Sequence, residues 1–152
     1  AGFGLDLALG CDVRFCSTQA KLSAAFTRRG ILPETGGTWL LPRLIGWQRT
    51  AELVFTGRTL SAAEAERLGL VAHVMEPDAL LPAARALAEE IASSAPLAVQ
   101  AAKRMMRSGL GEDFSAHIER VYLQTLPLLR TRDFEEGFRS FLEKRSPRFE
   151  GR

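Results

Sequence analysis

The stretch Gly2-Phe3-Gly4-Leu5-Asp6-Leu7-Ala8-Leu9-Gly10-Cys11-Asp12 decides how the rest of the chain is read. Two glycines one residue apart let the backbone turn tightly, and the apolar run after them suits a short helix. The first amides of such a helix lack intrahelical acceptors and sit at the positive end of its dipole, so they can face negative charge. Asp6 falls in the first turn, where the same features are expected to hold its carboxylate charged. The chain opens on this turn with Ala1 and not with methionine, so an N-terminal portion is expected to precede it. No basic residue stands ahead of the short apolar stretch, which does not read as a secretory leader.

Working outward, Cys11 to Ser17 and Lys21 to Ser23 read as short strands around a polar Ser17-Thr18-Gln19 turn. Arg29 to Thr38 is loop-like, with Gly30, Pro33 and the pair Gly36-Gly37. Leu40, Leu41, Leu44 and Ile45 have helical spacing despite Pro42, and a second helix after Gly46 has a stop signal at Gly57. Ser61 and Glu64 form a capping-box pattern that opens a helix ending at Gly69, with a β-rich run from Leu70 to Met75. Pro77 to Ser94 places Leu80, Leu81, Ala84, Leu87, Ala88 and Ile91 on one helical face. Pro96 suits the first turn of the next helix, Ile118, Val121, Tyr122 and Leu126 mark another, and an Asp133 cap is expected to open the last. Strands are thus early and helices dominate the second half, giving an α/β chain divided at 1–76 and 77–152.

The 152 residues carry 20 basic and 18 acidic side chains, for a formal net charge of +2, and 46% of them are apolar. That balance suits a globular domain with a real core. Only three of the basic residues are lysines (Lys21, Lys103, Lys144), and the cations are interspersed with acids, so no one-sided nucleic-acid surface assembles. No apolar run approaches the roughly 20 residues of a spanning helix, so no membrane partner is expected. Cys11 and Cys16 offer no disulfide framework, have no activating histidine nearby and read as small buried apolar residues; a reducing, cytoplasmic setting is expected. His73 and His117 show no metal-ligand spacing.

The opening stretch resembles the crotonase (enoyl-CoA hydratase/isomerase) superfamily, in which a G-x-G turn precedes a small helix and a C-D pair. The likeness continues through Gly30-Ile31-Leu32-Pro33-Glu34-Thr35-Gly36-Gly37-Thr38, Leu44-Ile45-Gly46, Thr56-Gly57-Arg58 and Gly69-Leu70-Val71. It ends in Phe141-Leu142-Glu143-Lys144-Arg145-Ser146-Pro147-Arg148-Phe149. Each motif alone is weak; in this order, along nearly the whole chain, they are specific. The resemblance implies the later part of a ββα spiral over 1–76, carrying the oxyanion-hole turn, and a helical oligomerisation region over 77–152 that builds trimers or hexamers. It implies an acyl-CoA thioester substrate and no cofactor, CoA being part of the substrate.

The family's chemistry passes through a thioester enolate held by preorganised donors. By the match, the Phe3 N–H is one such donor, with Gly2 and Gly4 shaping the turn against the substrate; the second donor comes from an earlier loop. Family hydratases use two carboxylates, and the matching positions here hold Asp6 and Phe26. A phenyl ring carries no proton, so the remaining acid is Glu34, at a position where several isomerases of the superfamily have one. A single carboxylate facing the acyl chain can take a proton from one carbon and return it to another. The expected chemistry is therefore double-bond isomerisation with Glu34 as shuttle, its pKa raised by partial burial. A hydratase using Asp6 and a truncated, non-catalytic acyl-CoA-binding module are the alternatives. Trp39 and Trp47 have core-like spacing, Trp39 also being a candidate for the acyl pocket. Lys144 is a candidate for the CoA phosphates, and Phe134, Phe138 and Phe141 form a core or interface stripe.

Overall fold

The computed structural model describes all of residues 1–152 and divides into two compact units, Ala1–Ala84 and Arg85–Arg152. In the first unit the order is α1 (Phe3–Leu9), β1 (Phe15–Ser17), β2 (Lys21–Ser23), a 3-10 turn (Thr27–Arg29), α2 (Gly37–Ile45), α3 (Trp47–Thr56), β3 (Thr59–Ser61), α4 (Ala62–Arg67) and β4 (His73–Met75). Helix α5 (Pro77–Ala92) crosses the boundary, so the division at 76/77 marks the start of this helix and the unit boundary lies inside it.

Helix α1 starts where Gly2 takes a φ of 54°, a conformation that suits glycine, and the Gly2 amide donates to Ser23 O at 2.9 Å, tying the helix start to β2. Leu5 and Leu9, one turn apart, face the core with Leu41, Ile45, Leu53, Leu60 and Leu70. Strand β1 pairs in parallel with β4 (Cys16 opposite Val74), and β2 pairs antiparallel with β3 (Leu22 opposite Leu60). The expected strand from Leu70 is shorter than its apolar run. The amides of Leu70 and Val71 donate to Ala65 O, wrapping the end of α4, before the chain can extend.

The C-terminus of α3 is closed by a segment far from it in sequence. Thr27 Oγ1 donates to Val54 O at 2.6 Å and Arg28 Nε to Thr56 O at 2.8 Å, so two end carbonyls gain donors, one of them cationic. Gly57 ends the helix at φ 57°, and a side chain there would lie 2.8 Å from Arg28 Cγ. This docking fixes the 3-10 turn and, with it, the loop that carries Glu34.

The second unit holds the rest of α5, then α6 (Pro96–Ser108), a 3-10 turn (Gly109–Gly111), α7 (Phe114–Leu128) and α8 (Arg132–Leu142). Pro96 is the first residue of α6, and Asp113 caps α7 by accepting from Ala116 N. The cap of α8 is Thr131, which accepts from Phe134 N, and not Asp133. Asp133 is buried and its carboxylate accepts from the amides of Glu150 and Gly151 at 2.7 and 2.9 Å, pinning the chain end to α8. Beside it the Arg145 guanidinium holds the Glu136 carboxyl well down, to about 2, while Glu136 also accepts from Arg148 N.

Several apolar residues differ from expectation. No residue of α5 is buried, Cys11 is exposed, and Trp39 and Trp47 lie on the surface instead of in the core. Helical spacing reports a face; it does not report whether a neighbour covers that face.

Ser61 accepts from Glu64 N while Glu64 accepts from Ser61 N, the expected capping box. Ser61→Ala is expected to cost about 1 kcal/mol and to lower Tm by roughly 2–4 °C in calorimetry, with Ser61→Thr keeping most of the stability.

Candidate active site

The site is built from the first turn of α1 and the loop that leads into α2. At the start of α1, the amides of Gly4, Leu5 and Asp6 bond back to Ala1 and Gly2 carbonyls, whereas the Phe3 amide makes no hydrogen bond within the chain. It is a free donor at the positive end of a helix, and the Phe3 side chain turns outward and is exposed. Gly2 supplies the positive φ that creates this turn, while Gly4 has an ordinary helical backbone with open space where a side chain would sit.

One residue past the turn, Asp6 is only 2% exposed. Its Oδ2 accepts from the Gly37 amide at 3.2 Å, and its Oδ1 is buried without a partner. Burial pushes its carboxyl above the ordinary aspartate range; the amides of Gly37 and Thr35 oppose the shift, and the Glu34 charge adds to it. The shift is thus opposite in direction to the one expected from the helix position. Desolvation outweighs the Gly37 and Thr35 amides at the α2 entry, which are the donors that favour the charged form.

Glu34 is likewise placed differently. It stands on the loop between fully buried Pro33 and Gly36, exposed instead of partly buried, and near enough for its charge to act on Asp6. Asp6 and Glu34 thus form a pair of unlike environments, one dry and one wet. Phe26, which the resemblance places among the substrate-binding residues, packs in the hydrophobic core. Trp39 is exposed, with the Arg43 guanidinium 3.9 Å from its ring centre. Lys144 belongs to the second unit, exposed just past α8 at a φ of 53°. The structure thus sets Phe3 and Asp6 on the same helix, places the Glu34 charge within reach of Asp6, and leaves Phe26 in the core. Sequence reading missed Gly37; its signal was the Gly36-Gly37 pair, read as loop although Gly37 is the first residue of α2.

A carboxyl whose pKa is higher folded than unfolded favours folding below the ordinary aspartate pKa, and that contribution is lost as pH rises through the folded value. Relative to wild type, Asp6→Asn is expected to be more favourable at pH 7 than at pH 4, measured by denaturant unfolding at both pH values.

The model of the enoyl-CoA hydratase/isomerase family matches residues 1–152. The chain is 45% identical to the bovine mitochondrial enoyl-CoA hydratase domain-containing protein 2, over 99% of this chain and 52% of that protein. It is 43% identical to (E)-benzylidenesuccinyl-CoA hydratase of Thauera aromatica, over 99% of this chain and 59% of that one. The crystal structure of an enoyl-CoA hydratase from Bacillus anthracis superimposes with a TM-score of 0.97 at 39% identity, covering 99% of this chain and 58% of that one. The chain spans about half the length of the relatives it matches. Its α/β architecture is that of the later part of the crotonase spiral followed by the helical region. On its sequence along its whole length and on its backbone, the chain belongs to the enoyl-CoA hydratase/isomerase family.

Proposed function

We propose that the protein moves the double bond of enoyl-CoA thioesters through an enolate, with Glu34 as proton shuttle, the Phe3 amide as an oxyanion donor and Asp6 as a second acid beside them. The observation that carries this reading is the placement of a buried Asp6 and an exposed Glu34 on adjoining segments, with the Glu34 charge acting to raise the Asp6 carboxyl. Two carboxyl groups in unlike surroundings can divide acid and base roles between them. The exposed Glu34 is free to face an incoming acyl chain and to take a proton from carbon. The free Phe3 amide can meet the enolate oxygen, where charge develops. No cofactor is needed, since the CoA travels with the substrate; Trp39 is a proposed contact to the acyl chain, and Lys144 a proposed contact to the phosphates of CoA bound to a neighbouring copy of the chain. The proposed compartment is the cytoplasm.

Hydration through Asp6 is the second reading, and it is favoured by the hydratase names of the relatives and by the depth of Asp6. Against it stands Phe26 in the core, where a second carboxylate would be needed to hold the water.

The experiment is a paired assay of 3-enoyl-CoA isomerisation and of water addition to 2-enoyl-CoA. Glu34→Gln is expected to lower isomerisation by about a hundredfold or more, in the range of a positioned acid or base, with CoA-ester binding nearly intact. Asp6→Asn is expected to cost less, about tenfold. Loss of water addition in Asp6→Asn together with a silent Glu34→Gln would establish the hydratase instead.

The proposed partner, besides substrate, is further copies of the chain in a trimer or hexamer. Phe138 and Phe141 are exposed on α8, with Phe134 at its edge, and they border a groove of about 430 Å³ with Leu97, Leu128 and Phe149. Phe138→Glu combined with Phe141→Glu is expected to convert an oligomer to a smaller species in sedimentation velocity. A wild-type protein that sediments as a clean monomer at micromolar concentration would refute the interface.

A further inference from the structure

Gly37 stands where no other residue fits without rearrangement. A Cβ built on it would collide with Asp6 Oδ1 and lie 2.8 Å from Pro33 Cβ and 2.9 Å from Asp6 Cγ. Its backbone is in the ordinary helical region, so the glycine is not there for a left-handed conformation, and in a helix it costs stability relative to alanine. Its retention is explained by what it touches. Its amide takes Asp6 Oδ2 at 3.2 Å, and Oδ1 is left buried and unpartnered.

We infer that Gly37 is a positioning residue for Asp6: its amide holds Oδ2 and its missing side chain leaves the space that Oδ1 occupies, which together set the orientation of the carboxyl. The inference rests on the proposed role of Asp6 as an acid, and it adds what holds that acid in place. Pro33, fully buried on the entry loop, is the second neighbour that a side chain at Gly37 would meet, so a methyl there must displace the loop, the carboxyl or both. Glu34 on that loop is the charged group whose field reaches Asp6.

The test uses Gly37→Ala, Asp6→Asn and their combination, with Gly37→Ala repeated in a Pro33→Gly background so that the new methyl is relieved of one of its two neighbours. Carbon-13 carboxyl NMR follows the titration of Asp6, and calorimetry confirms that each variant is folded. Gly37→Ala is expected to move the Asp6 midpoint by about half a pH unit or more in either direction, the scale on which one hydrogen bond or a change in burial acts. Turnover is expected to fall about tenfold with KM nearly unchanged, and the double variant to be no worse than Asp6→Asn alone. A folded Gly37→Ala, in either background, whose Asp6 titration is unmoved would overturn the inference, as would fully additive losses in the double variant. If Asp6→Asn leaves turnover unchanged, the acid role of Asp6 fails, while the carboxyl titration still decides whether Gly37 positions it.

Discussion

The first unit depends on the apolar packing of α1 against α2, and that packing buries one carboxyl under the entry of α2. A dry, half-satisfied Asp6 is costly, and it is sustained because α1 also buries Leu5 and Leu9 against the core shared with Leu41 and Ile45 of α2. Apolar packing brings α2 against α1, and the contact of Gly37 with Asp6 follows from that approach. The order of causes runs from core to site: aliphatic side chains fix two helices, and the helices impose an electrostatic state on a polar group between them. The free Phe3 amide belongs to the same helix, so this amide and the Asp6 carboxyl are set by one element and stand less than a turn apart.

Features that depend on a few adjacent residues were legible before any coordinates. The glycine turn at Gly2, the Ser61–Glu64 box, the Gly57 stop and the Pro96 start each carry their physics within three or four residues. The interrupted helix α2 was legible as well, because its apolar spacing persists past Pro42, whose missing amide removes one bond without changing the face. The family likeness added order along the chain, which single motifs lack.

What escaped the sequence was decided by partners distant along the chain. Strand β3 is three residues long and exists through its pairing with β2. The 3-10 turn at Thr27–Arg29 is held by carbonyls of α3. Asp133 has the composition of a cap, and Thr131 takes that role because the carboxylate of Asp133 is engaged by amides 17 and 18 positions later. The site shows the same split. Phe3, Asp6 and Glu34 could be named as candidates, but the assignment of a dry role to Asp6 and a wet one to Glu34 required knowing what covers each side chain.

Ser61 ends β3 and at the same time caps α4, so one residue belongs to a ladder and to a helix. A slip of β3 against β2 by one position would turn Leu60, now fully buried, toward solvent, and would also carry Ser61 away from the amide of Glu64. Two unrelated penalties therefore oppose the same error. Three-residue strands are too short to select their own alignment by ladder bonds, and here the alignment is enforced from outside the sheet, by the helix that begins where the strand stops.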